Sequence, residues 1–359
     1  MRRHIWAGLD VGAETTSFCV INDTGEVLQE GSCSTSLMSV DREIRWLRRR
    51  KFATVGLEAA TGTHLARGLR SRGYNVDLYE ARQLSKFLRV RRNKTDANDA
   101  IGIAEVGRLG QTLVGKVHLK SLECQSLQSR LTIRQHLIRQ RVGVVSLLCR
   151  QLEHYGGRIS RSSLSKRNFS LRVQAEITKL FGRTPNPLTD ELRRLLGAAE
   201  SLLAYQRTVD QDLYHAAADI EVCRRFMAIP GVGRLTALTF YAAVSEPGRF
   251  ERSSDVGSYF GLTPRIHQSG LTCRLGRISK MGNRAARNAL VCAAKGFMRW
   301  GNDDDPLRKW AGDIELRRGQ RKARIAVARK LGIIMLAMWK RGEEYQPMRH
   351  HAQPETGGA

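Results

Sequence analysis

The sequence predicts a mixed α/β domain followed by a mostly helical remainder. Three observations carry that prediction. Apolar runs of strand length, bounded by turn residues, alternate with helical stretches through the first hundred residues. From Ser121 the apolar positions recur at spacings of three and four over long stretches. Two glycine-rich segments then interrupt a basic, helical C-terminal third.

In order, Ile5-Trp6-Ala7-Gly8-Leu9-Asp10-Val11 reads as a buried strand and Thr16 to Ile21 as a second. Asn22-Asp23-Thr24-Gly25 is turn chemistry, and Glu26 to Glu30 continues as a third strand, completing an antiparallel meander. Asp41 to Lys51 reads as a helix and Thr54 to Glu58 as a strand. Thr63 to Arg72 reads as a helix closed by Gly73, and Val76 to Tyr79 as a strand. A helix begins near Gln83, and another spans Thr95 to about Gly107 with Thr95 as its N-cap. A meander followed by β-α-β-α units implies a mixed sheet flanked by helices.

Beyond Ser121, Leu122, Leu127, Leu131, Leu137, Val145, Leu148 and Leu152 mark a long amphipathic helix that ends at Gly156-Gly157. A second long pattern runs from Thr189 to Val222. Two such helices can pair as a hairpin within the chain or as a coiled coil with a second subunit, and self-association is the expectation. The basic, Ser-rich stretch from Arg158 to Pro187 reads as a surface loop. Arg321 to Arg341 is a basic helical end, and the polar tail from Pro347 reads as disordered.

The 359 residues suffice for two or three domains. Charge is far from balanced: 60 Lys and Arg against 34 Asp and Glu leave +26. Such an excess repels itself unless a polyanion relieves it. Nucleic acid is the first candidate, ahead of a ribosome-associated or membrane-surface role. Arg dominates the basic residues, and its planar fork suits phosphate. No apolar stretch reaches the ~18 residues of a membrane span, and no secretory leader follows Met1-Arg2-Arg3-His4. Seven cysteines without a C-x-x-C pair argue against a disulfide framework and a zinc site. A reducing cytoplasm is the expected setting.

Four carboxylates stand out. Asp10 ends the first strand and Glu58 the fourth, while Asp96 and Asp99 lie three apart at the start of a helix and so share one face. A carboxylate at the end of an apolar strand is unfavourable unless its charge is compensated. Four that converge would repel, and Mg²⁺, which prefers hard oxygen ligands, is the natural remedy. Two such ions, roughly 3.5–4 Å apart, can activate an attacking oxygen and stabilise a leaving one in phosphoryl transfer. Singly, each has a plainer reading. Asp10 and Glu58 could be strand-end residues, Asp96 a first-turn acid favoured by the helix dipole, and Asp99 a partner for an Arg.

The set Asp10, Glu58, Asp96 and Asp99 resembles the DEDD carboxylates of RuvC-type junction resolvases. The local wording is more specific: Gly-Leu-Asp-Val-Gly, Leu-Glu-Ala-Ala-Thr-Gly and Lys-Thr-Asp-Ala-Asn-Asp-Ala. In this order it resembles the insertion sequence one-ten family of transposases, which includes pilin-gene invertases. The resemblance extends from Ile5 to about Pro347. It implies an RNase H-like N-terminal domain.

Ile229-Pro230-Gly231-Val232-Gly233-Arg234 fits a helix-hairpin-helix turn, in which Gly231 and Gly233 would let the backbone approach a phosphate; a purely structural turn is the alternative. The segment from Tyr259 to Asn283 is rich in glycine and reads as a phosphate-binding loop. Arg265, Arg274, Arg277, Lys280 and, just beyond, Arg287 are candidate phosphate contacts. The family resemblance implies a nucleophilic serine before a glycine, and Ser269 is the match. Family members often carry Ser-Ser-Gly there, whereas here Gln268 precedes Ser269. On spacing alone Ser269 could be a turn residue. Ser279 is a competing hydroxyl that suits a phosphate clamp, and His267 could assist proton transfer although no triad can be drawn.

The expected organisation is a RuvC-like DEDD domain over 1–115, a helical or coiled-coil connector over 116–222, a serine-bearing domain over 223–346 and a tail over 347–359. The resemblance implies a composite site, cleavage through a covalent phosphoserine, double-stranded DNA as donor and target, a structured bridge RNA as guide, and a homo-oligomer. Two rivals stay open: a junction resolvase in which metal-activated water attacks, and a non-catalytic nucleic-acid binder.

Overall fold

The structure is a computed structural model that describes residues 4–90, 95–110, 113–159, 168–182, 184, 186–269 and 272–347. The tail expected to be disordered lies, beyond residue 347, outside the described residues. The chain divides into two compact units, Met1–Leu119 and Lys120–Ala359.

The first unit is built on a five-stranded sheet. Strands β1 (Ile5–Val11), β2 (Thr15–Ile21) and β3 (Val27–Ser34) form the meander, with antiparallel β1–β2 and β2–β3 pairs. Helix α1 (Leu37–Ile44) follows and runs into a 3₁₀ turn at Arg45–Arg49. Then come β4 (Ala53–Glu58), α2 (Thr63–Ser71), β5 (Val76–Tyr79), α3 (Ala81–Leu88) and α4 (Asp96–Leu109). Strand order is β3-β2-β1-β4-β5, with β4 parallel to both β1 and β5. The helix expected over Asp41–Lys51 begins earlier, because Ser36 caps it by accepting a hydrogen bond from Ser39 N at 3.1 Å.

Alternation along the strands gives the sheet two apolar faces. Ala7, Leu9, Val11, Phe18, Val20, Val55 and Leu57 enter one core with Val40, Ile44, Leu65 and Leu69 of α1 and α2. On the other face, Cys19 and Ile21 pack on Ala100 and Ala104 of α4, and Tyr79 packs with Leu84, Ile103 and Val106.

Among its described residues the second unit is helical apart from one hairpin. Helices α5 (Leu122–His154), α6 (Phe169–Phe181) and α7 (Pro187–Asp219) share a core that includes Leu148, Leu152, Val173, Ile177 and Leu196. The surface loop expected over Arg158–Pro187 therefore contains a helix. Its apolar residues Phe169, Val173 and Ile177 recur at helical spacing and are buried. An ion pair between Arg134 and Asp210 joins α5 to α7, so the two long helices pair within one chain. Helices α8 (Glu221–Met227), α9 (Arg234–Val244) and α10 (Asp255–Tyr259) lead to strands β6 (Pro264–Ser269) and β7 (Thr272–Ile278). Helices α11 (Arg284–Trp300), α12 (Pro306–Arg318) and α13 (Gln320–Arg341) close a core around Phe226, Phe240, Phe260, Leu290, Phe297 and Met335.

Candidate active site

Asp10 lies near the end of β1 and Glu58 ends β4. The two strands are parallel and in register up to Leu9 opposite Leu57. The next step along both sets Asp10 beside Glu58, on strands about 4.8 Å apart. Ala7, Leu9 and Val11 belong to the core under α1 and α2. Asp10 therefore shares the opposite face with Trp6 and Gly8.

Glycine at position 8 is what allows α4 to lie on that face. A Cβ there would stand 2.1 Å from Ala100 O and 2.4 Å from Ala104 N. At the other end of the helix, a Cβ on Gly107 would stand 2.7 Å from the Trp6 ring. Helix α4 thus runs antiparallel to β1, with Gly107 over Trp6 and Ala100 to Ala104 over Gly8. Two residues further along the strand, about 6.6 Å, correspond to about four residues back along the helix, about 6 Å. That step brings the first turn of α4, with Asp96 and Asp99, toward the end of the sheet where Asp10 lies. Thr95 fixes the turn by accepting a hydrogen bond from Asn98 N at 3.2 Å. Asp10, Glu58 and Asp99 are half-buried and Asp96 is exposed.

Electrostatics link the same groups. The Glu58 carboxyl is pushed above the usual carboxylate range, first by burial and then by the charges of Asp99 and Glu80. Glu80 was not singled out from the sequence. It follows β5 as Glu58 ends β4, and it caps α3 by accepting from Gln83 N at 2.8 Å. The available signal was the same in both places: an acid at the end of a buried apolar strand. Among the described residues no group of three or more His, Cys, Asp or Glu side chains stands ready to hold a metal ion. The donor chemistry nevertheless suits a hard divalent cation, since all four groups offer carboxylate oxygens.

The glycine-rich turn lies between α8 and α9. Gly231 has a φ of 82°. A Cβ on it would come within 2.4 Å of Phe297 N and 2.6 Å of Ala293 O, so this glycine is explained by the close packing of the turn on α11. Gly233 has open space around its Cβ position and precedes α9, whose first turn has no side-chain cap.

The segment read as a phosphate-binding loop is instead a β-hairpin of β6 and β7. Ser269 pairs with Thr272 and His267 with Arg274, so these four share one face of the ribbon. Arg265, Arg274, Arg277 and Lys280 are exposed. Ser279, the competing hydroxyl, is half-buried and its backbone N–H donates to Thr263 O at 2.8 Å. Arg287 is placed differently from the other cations. It is 8% exposed and donates through one nitrogen to Phe260 O and Met281 O, both at 2.9 Å. Burial, and then Arg284, lower its pKa. Its geometry clamps the root of the hairpin and does not present it to a phosphate, which corrects the expectation from sequence.

Comparison with known proteins places both regions. A DEDD transposase family model of the IS110 type matches residues 7–156. A second model, described as the transposase IS116/IS110/IS902 family, matches residues 223–309. The chain is 30% identical over 344 residues to the transposase for insertion sequence element IS1111A of Coxiella burnetii, covering 94% of this chain and 90% of that one. It is 27% identical over 300 residues to a probable family 20 transposase of Pseudomonas aeruginosa, covering 82% and 86%. It is 29% identical over 127 residues to the pilin gene-inverting protein of Moraxella bovis, covering 34% and 38%. The chain belongs to the IS110/IS116/IS902 family of insertion-sequence transposases, enzymes that cleave and join DNA.

Proposed function

We propose that this transposase cuts and rejoins DNA strands through a covalent phosphoserine at Ser269, with divalent ions, Mg²⁺ in particular, held by Asp10, Glu58, Asp96 and Asp99. The observation that carries the metal reading is geometric: the register of β1 and β4 sets Asp10 beside Glu58 at the end of the sheet toward which α4 brings Asp96 and Asp99. Strand order β3-β2-β1-β4-β5 agrees with an RNase H-like domain. When bound, the ions supply charge neutralisation at the attacking and leaving oxygens of phosphoryl transfer.

The serine chemistry balances simply. Ser269 Oγ bonds to phosphorus and its proton passes to solvent. The bond from phosphorus to a deoxyribose oxygen breaks, and that oxygen takes up a proton. Attack on the phosphoserine by a deoxyribose hydroxyl of another strand reverses the exchange and joins the DNA. Arg274, on the same face as Ser269, and the exposed Arg265, Arg277 and Lys280 would neutralise the phosphate. Gly233 would offer its open backbone to a second phosphate.

The proposed organisation is a catalytic domain over 1–115, a connector over 116–222 and a serine-bearing domain over 223–346, working as a homo-oligomer under guidance of a structured bridge RNA. A charge of +26 suits an RNA partner as well as DNA. The test is cleavage of element-end DNA by Asp10→Asn and Asp99→Asn, each removing a ligand charge at nearly constant volume. Both should abolish cleavage while leaving the fold intact; full activity of Asp10→Asn in Mg²⁺ contradicts the metal reading. Recombination with and without the element's flanking non-coding transcript tests the guide, and equal yields would remove it.

A further inference from the structure

The β6–β7 hairpin has a second face that the serine chemistry does not use. Ile266 and Leu275 are directly opposed across the ribbon, which sets them together on the face opposite His267, Ser269 and Arg274. They are 66% and 71% exposed, so no described part of the chain covers them. A lone two-stranded ribbon is marginal in water without something packed on it. This one is held at its root, where Ser279 N donates to Thr263 O at 2.8 Å, Lys280 N to Gly261 O at 3.1 Å, and Arg287 clamps Phe260 O and Met281 O. Its strands therefore project from a fixed base.

Charge indicates the occupant. Between Asp255 and Asp303 the sequence contains no Asp or Glu, while Arg265, Arg274, Arg277 and Lys280 are all exposed. A partner that meets Arg274 on one face, aliphatic carbons on the other, and further exposed cations toward the root must carry both anionic and flat apolar surfaces. A locally opened DNA duplex does: phosphates line the backbone, and unstacked bases expose apolar faces. Aliphatic wedges such as Ile and Leu are suited to that second surface.

We propose that the hairpin is a strand-separating pin. Its cationic face holds the backbone of one strand while Ile266 and Leu275 insert against bases of the opened duplex. The inference rests on DNA as substrate and not on Ser269 as nucleophile.

The test uses the full chain without divalent ion, so that no cleavage chemistry enters any readout. Two duplexes of one length are compared, one fully paired and one with a short central bubble, each carrying 2-aminopurine beside the centre. Wild type should prefer the bubble by about tenfold or more, since unstacking of about a few kcal/mol per step is already done. It should also raise 2-aminopurine fluorescence in the paired duplex. Ile266→Thr with Leu275→Thr places β-branched strand formers at both positions. It should lose the preference and the fluorescence change while binding paired DNA within about threefold of wild type. Arg274→Gln should weaken both duplexes alike and leave the preference unchanged, which separates a lost pin from a misfolded ribbon. A double variant that keeps the bubble preference overturns the proposal. So does one that alters the sedimenting mass of the protein with DNA preference intact, because the apolar face would then be a protein interface.

Discussion

At the scale of single residues, Gly8 sets the spacing on which the acidic site depends. The atoms a Cβ would strike, Ala100 O and Ala104 N, are backbone, so no side-chain adjustment can make room. Gly8→Ala should push α4 off β1 and destabilise the first unit by about 1–3 kcal/mol, the range for overpacking a close-packed contact. It should also displace Asp96 and Asp99 from Asp10 and abolish cleavage. Urea unfolding of the variant checks this, and a stability within about 0.5 kcal/mol of wild type would contradict it. Gly231 shows the same chemistry at another contact, the turn against α11. There the sequence suggested phosphate approach, but a glycine required by packing and one required by a ligand look identical in a single sequence. Arg287 was equally ambiguous: nothing in its neighbours distinguishes an inward guanidinium that donates to two carbonyls from an outward one that meets phosphate.

At the scale of elements, Lys120 ties α5 to α9. Its Nζ donates to Ala242 O at 2.8 Å and also bonds Gln128. Burial, with a smaller push from Arg249, lowers its pKa to about 8. Between pH 8 and the ordinary lysine range the unfolded chain then holds more protons at this site than the folded one. Stability accordingly rises as pH climbs through that window. Wild type should gain stability relative to Lys120→Met between pH 7.5 and 9.5 in urea unfolding, and parallel pH profiles for the two would contradict this. The elements themselves were unequally legible. β1, β4 and β5 are short, mostly apolar runs whose ends read from the sequence to within a residue. α6 was hidden by the basic, Ser-rich residues before it, which outweigh its short apolar stripe. The β6–β7 hairpin escaped notice because neither face enters a core, leaving no buried period of two for a sequence to display. Of the acidic site, four carboxylates were visible as strand-end and helix-start residues. Glu80 carried the same strand-end signal, but its link to Glu58 depends on β4 and β5 being parallel neighbours, which the sequence does not display.

At the scale of the whole molecule, the +26 charge should make binding to DNA, and to the proposed RNA, an ion-exchange reaction. Affinity should fall linearly in log–log form with salt, and contact with about 6–10 phosphates would lose about 10³–10⁵-fold between 50 and 200 mM. A salt-independent affinity would remove the electrostatic account. No described helix is long and apolar enough to cross a membrane. The central claim is that Ser269 becomes linked to DNA. Its most direct test is mass spectrometry of the protein after incubation with element-end DNA and Mg²⁺, comparing wild type, Ser269→Ala and Ser279→Ala. The account predicts a nucleotide adduct on Ser269 in wild type, its retention in Ser279→Ala, and neither adduct nor recombinant product in Ser269→Ala despite normal DNA binding. Normal strand cleavage by Ser269→Ala would contradict it and assign the attack to water.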